Sequence, residues 1–212
     1  MKLKKIVNGI IIICCACNAQ QKNNEKCLKT SWAKWIESKL PESICVQENE
    51  MIYYLTDNFD YNKDGLNDIA IKVGKRERKN GDVRKLVIYQ KVNDSVFTKF
   101  RELDNVYPLW FEDYSPHIKV NEPELDSIKE YYEGSPLRWV KLVDNRIVLT
   151  LNGDVVTEYI LTYTYSNEKE DWFLTDYIEY DLHNNVKKTY PSDKTGTSIS
   201  EFSYIKFLNG EF

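Results

Sequence analysis

The sequence predicts a mainly β protein made of antiparallel sheets, arranged as a propeller or a sandwich, with one short helix near its start. Three observations carry that expectation. From Met51 onward, short runs rich in β-branched and aromatic residues are bounded by Gly, Asn, Asp and Pro. Several of the breaks are short and carry residues that favour hairpins: Asn93-Asp94, Asp144-Asn145, Asn167 to Glu170, and His183-Asn184-Asn185. No stretch alternates strand with long helix, as a parallel doubly wound sheet requires.

In chain order, the first residues read as an export signal. Lys2, Lys4 and Lys5 form a basic start, and Ile6 to Ala16 an apolar stretch too short to span a bilayer as a helix. Cleavage after Ala16 would leave Cys17 as a lipidated first residue, although Cys14 stands where a lipoprotein signal usually has an aliphatic side chain. Alternatively, Cys17-Asn18-Ala19 serves as a small-x-small site and the mature chain starts at Gln20. Residues 1–16 are thus assigned to the signal, 17–30 to a flexible polar tether, and 31–212 to a single domain. Once Cys14, Cys15 and Cys17 belong to export, Cys27 and Cys45 remain, and an oxidising compartment makes them a disulfide pair. A bridge of that loop length contributes roughly 3 kcal/mol in the chain-entropy account.

A helix is expected from Ser31 to Leu40, with Thr30 or Ser31 as N-cap, Trp32, Trp35, Ile36 and Leu40 as its apolar stripe, and Pro41 as its end. Strands are expected near 51–56, 68–73, 84–91, 96–100, 138–143, 147–151, 157–165, 172–180 and 202–208. The run Lys75 to Lys79, followed by Asn80-Gly81-Asp82, reads as a solvated hairpin loop. Tyr159, Tyr163, Tyr165, Tyr177 and Tyr180 are expected as cross-strand pairs. Residues 107 to 136 break the pattern with Pro108, Pro116, Pro123 and Pro136 around Trp110, Phe111 and Tyr114, and are expected to pack aromatics over one end of a sheet.

The formal charge is −4 for all 212 residues and becomes −7 without Lys2, Lys4 and Lys5. Such an acidic chain lacks the concentrated basic face that nucleic acid demands. Membrane association is expected through the lipid anchor alone.

Residues 60–68 read Asp-Tyr-Asn-Lys-Asp-Gly-Leu-Asn-Asp. Oxygen-bearing side chains fall at positions one, three, five and nine, with glycine at six. Calcium takes several hard oxygen ligands, and a tight loop supplies them when alternate side chains converge. Asp60, Asn62, Asp64 and Asp68 are therefore the expected side-chain ligands, and Leu66 the donor of a backbone carbonyl. Three carboxylates around one turn repel each other unless a cation neutralises them. An EF-hand would place a glutamate at position twelve, where this chain has Ile71.

With an apolar strand following, the loop resembles the calcium loops of FG-GAP repeats in integrin-type propellers and related bacterial secreted modules, and only one copy is seen. A looser resemblance links residues 51 to 180 to bacterial lipoproteins with one such loop, a hairpin like Arg84 to Tyr89 and late strands like Ile147 to Leu151. Some of those are similar to periplasmic lysozyme inhibitors or immunity lipoproteins. The resemblance implies a calcium-stabilised envelope lipoprotein that binds a protein partner, such as an envelope hydrolase. A rival expectation is a carbohydrate-binding or carbohydrate-acting protein using Trp110, Phe111 and Tyr114. No serine elbow, phosphate-binding glycine loop, zinc helix or His/Cys ligand cluster is present, and His117 and His183 are the only histidines. No catalytic residue is assigned.

Overall fold

The computed structural model describes residues 28–109, 137–152, 156–189 and 196–208. Two antiparallel sheets carry the fold, one of four strands and one of five, each in simple sequence order. The first holds β1 (Glu50–Phe59), β2 (Asp68–Lys75), β3 (Lys85–Lys91) and β4 (Phe97–Leu103). The second holds β5 (Leu137–Val143), β6 (Arg146–Asn152), β7 (Thr157–Ser166), β8 (Asp171–Asp181) and β9 (Val186–Thr189). Two short helices, α1 (Lys34–Lys39) and α2 (Tyr204–Leu208), flank them.

A shared core joins the sheets, which identifies a β-sandwich. Alternation supplies the inner face of the second sheet. Ile147, Leu149 and Leu151 on β6 and Leu161 and Tyr163 on β7 are fully buried, with half-buried residues between them. From the first sheet come Ala70, Leu86 and Ile88, together with Leu103, Val106 and Tyr107.

Strand β2 reads as a continuous apolar run because it is covered on both sides. Its other face, Ile69, Ile71 and Val73, packs with Val87 and Tyr89 against Ile36, Leu40, Ile44 and Val46 from the N-terminal segment. That segment forms a thin third layer. Leu28 to Trp32 belong to the fold, although residues 28–30 were expected in the tether. Leu28 bridges Val46, Thr30 accepts a backbone hydrogen bond from Ile52 at 2.9 Å, and Trp32 donates one to Ile52 at 3.2 Å. Cys45 lies just before Val46, while Cys17 and Cys27 lie outside the described residues.

Helix α1 is shorter than expected. Ala33, with no side-chain bond to the helix, stands at its N-cap instead of Thr30 or Ser31. The reason is competition: residues 30–32 give their backbone groups to the edge of β1, and the Ser31 hydroxyl donates to the Ala33 carbonyl at 2.6 Å. With the start moved, Ile36 and Leu40 alone take the core. Trp32 and Trp35, expected in the stripe, are 62% and 49% exposed.

The expected strand 202–208 is also corrected. Ser198 caps a 3-10 turn (Ile199–Glu201) through the Ser200 N–H at 3.1 Å, and α2 follows, with Phe207 donating to the Ser203 carbonyl at 2.9 Å. Phe202, Tyr204 and Phe207 remain core residues, but helical spacing and not alternation brings them there. Strand β9, not expected, is exposed along its whole length and attaches through its backbone to β8.

The hairpin turns lie where the sequence puts them. Asp144, Glu170 and Asn185 take positive φ angles of 51°, 50° and 56° in three of them. The basic run after Lys75 is an exposed loop closed by mutual bonds between Lys79 and Asp82.

Candidate metal centre

The loop from Asp60 to Asp68 joins β1 to β2, and Phe59 paired with Asp68 closes its base. Two backbone positions curl it: Lys63 at φ 60° and Gly65 at φ 85°. A Cβ built on Gly65 would meet nothing within 4 Å, so glycine is needed there for its backbone conformation and not for space.

Its oxygen side chains turn inward onto its own amides. Asp60 accepts from the Asp64 N–H at 3.2 Å through Oδ1 and from the Gly65 N–H at 2.9 Å through Oδ2. Asn62 Oδ1 accepts from the same Asp64 N–H at 3.2 Å, and its Nδ2 donates to Asp64 Oδ2 at 2.9 Å. Asp64 Oδ1 accepts from the Leu66 N–H at 2.8 Å. Leu66, expected to offer its carbonyl, is thus held by its amide.

Asp68 behaves differently from its loop partners. Its carboxylate is fully buried, Oδ2 accepting from the Tyr61 N–H at 3.1 Å and Oδ1 from the Lys91 N–H at 2.9 Å. Its pKa is raised to about 6: burial pushes it up most, the two N–H bonds pull it down, and the charges of Asp64 and Asp60 push it up. Among the described residues no three Asp, Glu, His or Cys side chains converge into a group that holds a metal. The donor set nevertheless fits calcium chemically. Every potential ligand is an oxygen, and a carboxylate oxygen bonded to one N–H keeps a second lone pair for a cation.

Tyr61, at position two, points away from the oxygens and anchors the loop. Its ring stacks on Phe100 at 4.5 Å, meets Tyr165 edge-on at 4.8 Å and lies 5.5 Å from Trp172. Phe100 belongs to the first sheet and Tyr165 and Trp172 to the second, so the loop is wedged between both. Asn167, in the β7–β8 turn, donates to the Asn62 carbonyl at 3.4 Å, and Arg101 donates to the Glu170 carbonyl at 2.6 Å. Sequence reasoning missed Tyr61, although alternation marks it: if odd positions face the metal, position two faces the core.

Other candidates separate from this place. A groove of about 1480 Å³ opens on the outer face of the first sheet, floored by Val73, Val87 and Tyr89. Its rim charges answer one another across strands, Lys85 reaching Glu102 at 2.7 Å and Glu50 at 3.8 Å. His183 sits in the exposed β8–β9 turn. Trp110, Phe111, Tyr114 and His117 lie outside the described residues. Among the described residues no helix is long and apolar enough to cross a membrane.

No family model matches the chain, and neither a curated protein nor a solved structure matches it.

Proposed function

We propose that the chain is an exported, calcium-stabilised protein of the cell envelope that acts by binding. Loop 60–68 would be a structural calcium site, Cys17 a lipid anchor, and Cys27 with Cys45 a disulfide. The observation that carries the reading is the loop itself, in which Asp60, Asn62 and Asp64 gather their oxygens over a tight turn whose base is the buried Asp68. Bound calcium would neutralise these carboxylates and fix the loop. Tyr61 then transmits that order to both sheets through its ring contacts.

The surface proposed for partner contact is the loop end of the sandwich, where Asn167 meets Asn62. The partner proposed for that surface is a protein, an envelope hydrolase held by an inhibitor or immunity protein. Support for the disulfide is that Leu28 and Val46, the residues that follow Cys27 and Cys45 in the sequence, form an antiparallel bridge.

Isothermal titration with calcium tests the site: one ion per chain is expected, with binding lost in Asp64→Ala. Heat equal to buffer dilution would remove the site. Affinity capture from envelope and secreted fractions tests the role. A partner retained with calcium and released by chelator supports it, and an empty capture under calcium contradicts it. Metabolic labelling with a fatty-acid analogue should mark the wild type and not Cys17→Ala.

A further inference from the structure

Two tryptophans mark the place where the chain enters the fold along the edge of β1. Ser31 bridges Ile52 in parallel, and the Trp32 N–H donates to the Ile52 carbonyl. Trp35 follows in the next turn, where the Ile36 N–H closes on the Ala33 carbonyl at 3.0 Å. Ile36 and Leu40 take the inward side of α1, and both indoles are left largely exposed. Two such rings within four residues place a large apolar area in water.

The mount under them is stiff. Trp32 Nε1 donates to the Tyr53 carbonyl on β1, so the one polar group of that ring is already satisfied. The ring can therefore leave water without stranding a donor. Lys39 pairs with Asp57 at 3.3 Å and Lys29 donates to the Leu40 carbonyl at 3.1 Å, which fastens both ends of the segment. Exposed Lys34 stands between the two indoles in the sequence. Residues 28–40 carry Lys29, Lys34 and Lys39 against Glu37 alone, in a chain that is acidic as a whole.

Indoles with cations beside them suit the headgroup layer of a bilayer, where the ring lies at the acyl boundary and lysine reaches phosphate. The chain ahead of the segment leads to the same surface. Leu28 is eleven residues from Cys17, a span of at most about 40 Å. A lipid on Cys17 would keep the indoles within reach of the bilayer, and a short link raises the effective concentration of a second contact to the order of millimolar. A weak contact then suffices.

We propose that Trp32 and Trp35, with Lys34 between them, form a membrane-docking surface that enters the headgroup layer of the bilayer holding the lipid anchor. The inference rests on the lipid-anchor reading and adds an orientation to it. Loop 60–68 follows Phe59 at the far end of β1, about 20 Å along the strand from Tyr53. Docking at Trp32 would hold the calcium end away from the bilayer and open to a protein partner.

Fluorescence quenching tests the surface. The full chain is isolated from cells and placed in vesicles of phosphatidylethanolamine and phosphatidylglycerol, with acyl chains brominated or not. Wild-type tryptophan emission is expected to fall in the brominated vesicles, with most of the fall absent when Trp32→Phe and Trp35→Phe are combined. Trp35→Phe alone, which keeps the Trp32 bond to Tyr53, should lose part of it, and Trp139→Phe on β5 should be quenched as the wild type is. No fall in the wild type, or an equal fall in the double variant, overturns the proposal. A blue shift of these two indoles that grows with protein concentration in the absence of vesicles assigns the patch to a second copy and overturns it too. Fatty-acid-analogue labelling of the same preparations decides the anchor separately. Unlabelled wild type that is still quenched removes the anchor and keeps the docking surface, whereas labelled wild type that is not quenched keeps the anchor and removes the docking surface.

Discussion

The carboxylate of Asp68 accepts a hydrogen bond from the backbone N–H of Lys91 at 2.9 Å, tying the start of β2 to the end of β3. Its other oxygen holds the Tyr61 N–H, so one buried side chain brackets the loop from below. Asp68→Ala would leave two N–H donors without their acceptor, each costing about 1–3 kcal/mol when buried. Urea unfolding in chelator should show a loss of about 2–4 kcal/mol with an unchanged slope, and a larger loss in calcium. A loss below about 0.5 kcal/mol would mean the bracket is unimportant.

Tyr61 links the loop to both sheets through Phe100, Tyr165 and Trp172. Truncating a buried aromatic to alanine typically costs about 3–5 kcal/mol. Tyr61→Ala should fall in that range, and its remaining folded population should show a smaller thermal response to calcium. A full calcium response in Tyr61→Ala would show that the wedge does not transmit order.

Much of this was legible in the sequence, for reasons that differ by element. The strands were readable because Val, Ile and aromatic residues alternate between hairpin turns, as in Ile147 to Leu151. Helix α1 was misplaced because Thr30 and Ser31 look like caps, yet the edge of β1 offered their backbone groups better partners. Phe202, Tyr204 and Phe207 suggested a strand through composition, while the Ser198 cap turned the chain helical. Loop 60–68 was legible as a pattern of oxygens. The engagement of Asp68 by Lys91 was not, because that contact depends on where a distant strand ends.

Gly65 should tolerate substitution in proportion to backbone preference alone, since no neighbour opposes a side chain there. Gly65→Ala is expected to cost about 1–2 kcal/mol from the left-handed conformation, and Gly65→Asn less. Chemical denaturation of both variants checks the order. Equal losses would show that a steric contact, not φ, governs the site.

Lys72 gives a pH signature. Burial, then Arg84 and Arg78, lower its pKa from 10.5 to about 8, so between those values the unfolded chain binds the extra proton and stability rises with pH. Its cost is full below about pH 8 and relieved towards 10.5. Lys72→Met should therefore exceed the wild type by about 1–3 kcal/mol at pH 7 in chloride buffer, the advantage shrinking as pH rises to 10. Parallel stability curves from pH 7 to 10 would contradict this assignment.

Differential scanning calorimetry of the wild type and Asp64→Ala, in excess calcium and in chelator, tests the central claim most directly. Saturating the loop at a hundred times its dissociation constant should add about 2.7 kcal/mol of stability. The wild type is expected to melt several degrees higher in calcium, and Asp64→Ala to melt at one temperature in both. Superimposable wild-type profiles with and without calcium would contradict the account.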